Sequence, residues 1–271
     1  MRRGAFTLIE LIFVIVIIGI LSKYGIGLLK NAYENYFYSK VNNELQAKTE
    51  AALNTIAQRL TYRIKESVIA KKADGNFQAL SSSTYDSNAT VLEWLGQDID
   101  SYRGTDMQLW SGVIDIEQTT STQLFSPKTD ASIVSGALFF VGEQNIDVVD
   151  GFGWSGALVN QSGSIHPVTI GSNNIFTSDA GADFSGATIY EYYQFINSAY
   201  AIENDNGTLY LYTNYKPWKG ETYKVNGEKF MLMENVDTFR FRMDGTLLRL
   251  QLCARSNMLE EYSLCKEKTV F

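Results

Sequence analysis

Residues 6–29 are apolar almost without interruption, and that stretch limits what the chain can fold into. As a helix rising ~1.5 Å per residue it would span roughly 36 Å, more than the ~30 Å hydrocarbon core of a bilayer. Its only charged residues are Glu10 and Lys23. Lys23 lies near the far end and can extend to the interface, next to Tyr24 at the level favoured by interfacial aromatics. Glu10 has no such exit. A carboxylate at that depth costs roughly 2.5–3.5 kcal/mol on insertion scales, so a residue of this kind marks a function and calls for a partner.

Three readings compete for this segment. A cleaved secretory signal would use Arg2 and Arg3 as its charged start and Gly25-Ile26-Gly27 as a poor cleavage site. A plain amino-terminal anchor is the second. Neither accounts for an acid inside the apolar run. The third rests on Arg3-Gly4-Ala5-Phe6-Thr7-Leu8-Ile9-Glu10-Leu11, which resembles the cleavage and methylation motif of type IV pilins and type II secretion pseudopilins. The resemblance implies that a short basic leader is removed by a prepilin peptidase, that the new terminal residue is N-methylated, and that the apolar helix is kept. A cut after Gly4 makes Ala5 the first mature residue and Glu10 the sixth. A cut after Ala5 makes Phe6 first and Glu10 fifth, the family's usual spacing, with Ala in place of the usual Gly. The second is preferred, because a small residue can replace Gly at a protease subsite while the spacing of the acid has a physical role. By resemblance, Glu10 meets the terminal amine of a neighbour's Phe6 in a filament. The pairing neutralises two charges and sets axial register, since an unpaired buried ion costs far more than a paired one.

The formal charge of the chain is −7; loss of Arg2 and Arg3 takes it to −9. An acidic chain is a poor non-specific ligand for nucleic acid. With 3 prolines and 21 glycines it does not have the composition of a disordered or linker-rich chain. Tyrosines in short alternating runs suit β-structure. The two cysteines, Cys253 and Cys265, can form a disulfide if the body is exported. The loop so closed would contribute about 3 kcal/mol. Two free thiols are the alternative.

Beyond the membrane segment the helix is expected to continue to about Lys72, since residues 28–72 contain neither proline nor glycine. Leu53, Ile56, Ala57, Leu60, Ile64 and Val68 recur at spacings of three and four and form one apolar stripe. Asp74-Gly75-Asn76 is read as the helix end, with Lys71 and Lys72 at the negative end of the dipole. The expected organisation is a leader over residues 1–5, a transmembrane helix half over 6–29, an amphipathic half over 30–72, and a β-rich periplasmic body over 73–271. Within that body, residues 90–102 suit a short helix or a strand. Residues 107–116 and 137–141 read as strands, and residues 147–183 as long Gly-, Ser- and Asn-rich loops. A hairpin is expected with residues 198–203 and 208–212 flanking Asn206-Gly207. A second has Phe239, Phe241 and Met243 facing Leu248, Leu250 and Leu252, with arginines alternating outward. The resulting class is α+β: a long amino-terminal helix packed on an antiparallel sheet.

The carboxyl third resembles, more loosely, J-type minor pseudopilins and related minor pilins through Tyr200-Ala201-Ile202, Gly207-Thr208-Leu209-Tyr210, Pro217-Trp218 and residues 235–241. Major subunits usually carry a proline about twenty residues into the mature chain; here Tyr24-Gly25-Ile26-Gly27-Leu28 has none. That absence, and a large body, favour a minor subunit.

No catalytic set stands out. The single histidine, His166, sits between Ile165 and Pro167 in a Gly/Ser-rich region and is read as a surface loop residue. It cannot build a multi-histidine metal site, and no Gly-x-Ser-x-Gly elbow accompanies it. Gly151-Phe152-Gly153-Trp154-Ser155-Gly156 matches a dinucleotide fingerprint formally, but no apolar helix follows to hold a pyrophosphate, so it is read as a flexible turn. The acidic turns at residues 203–207 and 179–183 have the residue types of a calcium site without EF-hand spacing, and turn chemistry explains them equally. No cofactor is expected. The expectation is therefore a non-enzymatic minor pseudopilin or minor pilin in a bacterial inner membrane. Its body would lie in the periplasm, and its partners would be the prepilin peptidase, other pilins and the inner-membrane assembly platform. The alternative is a surface-exposed minor pilin acting as an adhesin or DNA-capture module.

Overall fold

A computed structural model of the chain has the long amino-terminal helix and the two late hairpins that apolar periodicity and alternation predict, but it ends the helix earlier and places strands at residues 166–170 and 175–178, within the stretch read as loops. It describes residues 7–99, 110–129, 135–171, 174–179, 183–259 and 262–271. The first element is α1 (Leu8–Thr61), 54 residues long, roughly 81 Å at ~1.5 Å per residue. Apart from Gly25 and Phe37, every residue from 7 to 40 is exposed. From Val41 onward one face turns inward: Val41, Leu45, Thr49, Ala52, Leu53, Ile56, Ala57 and Leu60 are buried. Most of this helix half therefore owes its stability to packing of that face on the body rather than to propensity.

The body is antiparallel throughout the described residues. The larger sheet contains β1 (Ile69–Lys71), β2 (Phe77–Ala79), β3 (Val91–Gln97), β4 (Gln123–Phe125), β5 (Ser135–Phe140), β6 (His166–Ile170), β7 (Ile175–Ser178), β8 (Tyr193–Asp205), β9 (Thr208–Tyr215) and β10 (Glu228–Glu234). Its spine is β2-β1-β3-β8-β5-β6-β7-β4, with β9 and then β10 branching from β8. The branch is possible because β8 is long. Its first residues pair with β5, and residues 199–205 pair with β9. The smaller sheet is β11 (Val236–Asp244), β12 (Leu247–Arg255) and β13 (Ser263–Val270) in that order. Phe239, Phe241, Leu248, Leu250 and Leu252 join the α1 face in one core, which also takes in Leu92, Trp94 and Ile202 from the larger sheet. Each such side chain contributes about 1.5–3 kcal/mol on burial. The intervening Arg240, Arg242 and Arg249 point to solvent.

Both expected hairpins are present. Asn206 and Gly207 take positive φ between β8 and β9, and Gly245 does so between β11 and β12. Of residues 90–102, Val91–Gln97 form the strand β3 and residues 100–102 lie outside the described residues; residues 137–141 fall largely in β5. Of the strand expected over residues 107–116, the first three lie outside the described residues. The rest supplies only isolated bridges at Val113 and Asp115.

The helix end differs from expectation. α1 stops at Thr61, and the body begins there rather than at residue 73. Arg63 donates from Nη1 to the Leu60 carbonyl at 2.7 Å, and the Ile64 N–H donates to the Leu95 carbonyl at 2.9 Å. The chain thus leaves the helix by bonding to β3. Ile64 and Val68 are buried as expected, but from this connection and not from a helix. Asp74-Gly75-Asn76 caps no helix. It turns the hairpin between β1 and β2, with Gly75 at φ +93° and Lys71 opposite Phe77.

Candidate functional site

The start of α1 concentrates the functional signal. Among the described residues this helix is long and apolar enough to cross a membrane. Thr7 precedes it with extended backbone. Both the Thr7 N–H and the Thr7 hydroxyl donate to Glu10 Oε2, each at 2.9 Å. A side chain at the third helical position that reaches back this way satisfies one of the donors that every helix start leaves open. It also places negative charge at the positive end of the helix dipole. Glu10 Oε1 takes no hydrogen bond among the described residues. The carboxylate is therefore anchored through one oxygen. Ala5 and Phe6, the expected processing site, lie outside the described residues.

Cys253 and Cys265 are joined as a disulfide. They face each other across β12 and β13, so the bridge pins the strands that cover α1. A bridge of this kind is at home in an oxidising compartment such as the periplasm.

His166 is not a surface residue. It lies in β6, 1% exposed, with its ring 4.9 Å from that of Phe140. Burial pushes its imidazole down to about 4, so it is neutral at physiological pH. The strand was hidden in a Gly/Ser-rich context. Its signal was the short run Ile165 to Ile170, in which Val168, Thr169 and Ile170 are β-branched.

The glycine segment is a turn, but its side chains are part of the core. Phe152 and Trp154 are buried, and Trp154 Nε1 donates to the Ser67 carbonyl at 3.1 Å. Gly153, at φ +84°, packs against Pro217 and Trp218 with no room for a Cβ. The segment wedges the larger sheet's second core, which is not the behaviour expected of a flexible turn.

The acidic turns spend their oxygens internally. Glu203 accepts from the Tyr212 hydroxyl and the Tyr223 hydroxyl, each at 3.1 Å, and pairs with Lys224 at 2.9 Å. Asp179 pairs with Lys219 at 2.7 Å, and Asp183 accepts from the Ser185 hydroxyl. Residues 180–182 lie outside the described residues. Sequence reading missed the companion of Glu203. Glu93, 2% exposed on the adjacent strand, pairs with Lys71 at 3.2 Å and accepts from the Tyr215 hydroxyl at 3.2 Å. Burial raises the Glu93 carboxyl against the pull of Lys71 and Tyr215. The two acids, three tyrosines and two lysines tie β1, β3, β8 and β9 to the short helix α2 (Tyr223–Asn226). β3 is buried on both faces, so Glu93 is interior whichever way it points, and its partners Lys71 and Tyr215 come from β1 and β9.

Comparison with known proteins adds one finding. Residues 1–22 match the family model described as the prokaryotic N-terminal methylation motif. This is the signal of type IV pilins and pseudopilins, which are structural subunits processed by a prepilin peptidase and assembled with other pilins. No curated protein and no solved structure matches the chain.

Proposed function

We propose that the chain is a minor subunit of a type II secretion pseudopilus or a type IV pilus, of the J-type pseudopilin kind. It would be cleaved between Ala5 and Phe6, methylated on Phe6, and held in the bacterial inner membrane with its body in the periplasm until assembly. The observation that carries this reading is Glu10. Its carboxylate, fixed by Thr7 at the start of an exposed apolar helix, leaves Oε1 open. An ammonium from a neighbour's Phe6 completes it, and neutralising the pair in a low-dielectric setting makes the contact specific in register. The body adds loops and sheet edges that contact other minor subunits. An adhesin or DNA-capture role is less well supported, since Phe152 and Trp154 of the Gly-rich loop are buried rather than offered for stacking.

The test has two parts. Amino-terminal sequencing of the mature protein should begin at methylated Phe6; a start at Ala5 would move the cut. Glu10→Ala should insert into the membrane and fail to enter filaments, and normal incorporation would sink the proposal.

A further inference from the structure

Three segments of the chain read Asn-x-Ser/Thr without proline at x, the acceptor pattern for an N-linked sugar: Asn88-Ala89-Thr90, Asn160-Gln161-Ser162 and Asn206-Gly207-Thr208. In two of them the fold already uses the asparagine. Asn160 Oδ1 accepts from both the N–H and the hydroxyl of Ser162. Asn206 turns the β8–β9 hairpin and donates from Nδ2 to Asp205 Oδ1 at 2.9 Å.

The segment at Asn88 differs. Asp86, Asn88 and Thr90 are alternate residues, and none of their side chains makes a hydrogen bond or an ion pair among the described residues. Asp86 opens a single 3-10 turn, Asp86–Asn88, at φ +48°, a left-handed conformation that glycine adopts more easily. Asn88 is exposed. The Thr90 hydroxyl is buried without a partner, a cost that valine would avoid in the same volume. These three polar groups do little for the native fold, so their common use lies outside it. In an extended chain, residues two apart share a face. Before the segment folds, that face presents a carboxylate, an amide and a hydroxyl in line.

We propose that Asn88 carries an N-linked oligosaccharide, added by a membrane-bound transferase before residues 86–90 pack onto the body. The order follows from Thr90. Once its N–H has bonded to the Lys71 carbonyl, at 2.9 Å, its hydroxyl is closed off from any enzyme. In the transfer, Nδ2 of Asn88 attacks the anomeric carbon of a polyprenyl-pyrophosphate-linked oligosaccharide. The C–N bond forms as the C–O bond to the pyrophosphate breaks. The lipid pyrophosphate leaves with the electron pair, and the amide proton passes to a base of the transferase. Asp86 and Thr90 are the flanking contacts that hold the segment in place. After folding, Asn88 stays on the surface, in a turn that adjoins a polar cleft of about 410 Å³ lined by Asp86, Arg240, Arg242 and Gln251 among others. A sugar has room there, with guanidinium and amide donors for its hydroxyls. The proposal needs an exported body and rests on that part of the function proposed above.

Mass spectrometry of the full-length chain from the cells that produce it tests this. The tryptic peptide over residues 73–103 contains Asn88 and neither of the other two acceptor segments. It should be heavier by several sugar residues, release sugar ions on fragmentation, and place the added mass on Asn88. Asn88→Gln and Thr90→Val should each lose the added mass completely, and Thr90→Ser should keep it. Thr90→Val should do so with a melting temperature equal to or above that of the unmodified parent chain, which separates recognition from folding. Asp86→Asn should lower occupancy several-fold; full occupancy would strike Asp86 from the recognised face. The peptide at its unmodified mass, a sugar that survives Asn88→Gln, or full occupancy in Thr90→Val overturns the inference. If the peptide is unmodified while Cys253 and Cys265 in the same sample are bridged, export stands and only this inference falls. If those cysteines are free thiols as well, the exported body falls with it.

Discussion

The N–H and the hydroxyl of Thr7 both donate to the same oxygen of Glu10, Oε2. One carboxylate thereby serves its own helix start through Oε2, while Oε1 takes no hydrogen bond among the described residues. Capping and the proposed charge pairing separate by substitution. Glu10→Gln retains an oxygen for the Thr7 donors but loses the charge. It should insert and fold as the parent does, yet be lost from the sedimented filament fraction. Incorporation of Glu10→Gln at the parental level would mean that capping, rather than charge pairing, is what assembly requires.

Gly153 and Gly156 have nearly the same backbone, at φ +84° and +83°, but different surroundings. A Cβ on Gly153 would lie 2.4 Å from the Pro217 carbonyl oxygen, whereas one on Gly156 meets nothing within 4 Å. Gly156→Ala should cost only the conformational penalty, about 1–2 kcal/mol. Gly153→Ala adds a backbone clash and should cost about 3 kcal/mol or more. Thermal unfolding in detergent would rank the two, and equal losses would contradict the packing described for this turn.

His166 makes the fold sensitive to mild acid. Its imidazole titrates near 6.5 when free and at about 4 when buried, so between these values the unfolded chain binds more protons. Stability should be undiminished by this group above pH 6.5 and fall as the pH drops toward 4, by about 3 kcal/mol in all. His166→Leu should flatten that part of the profile. An unchanged slope between pH 6.5 and 4 in the variant would remove His166 as the cause.

Reduction of Cys253–Cys265 should destabilise the body by about 3 kcal/mol, the scale expected for a short closed loop. The β12–β13 edge that covers α1 should loosen first, visible as faster amide exchange there than in β8. Uniform exchange in the reduced and oxidised protein would show that sheet pairing alone holds this edge.

How far the sequence could be read depends on where the deciding contacts lie. The hairpins at Asn206-Gly207 and Gly245 are local, since each turn and its flanking alternation lie within about a dozen residues. The helix end is not. Nothing between residues 28 and 72 breaks a helix, and the stripe continues through Ile64 and Val68. What stops α1 at Thr61 is a better offer from a distant strand, the Leu95 carbonyl taking the Ile64 N–H. Asp74-Gly75-Asn76 carried a hairpin signal that was outweighed by the expectation of a helix reaching it. His166 was misplaced for a similar reason, because local glycine and serine said loop while Phe140 and the neighbouring strands made it interior.

By itself, then, the amino-acid sequence determined the membrane-length helix, the acid at its start, the processing motif and the α+β class. Each follows from nearest-neighbour chemistry or from apolar periodicity, which act along the chain. Only the tertiary structure decided where the helix stops, that β8 carries two strands end to end on one edge, and that Glu93 and Glu203 lie buried among tyrosines and lysines from five elements. Those outcomes depend on which backbone and charged groups meet across long sequence distances. A buried polar group takes whatever partner the packing brings to it.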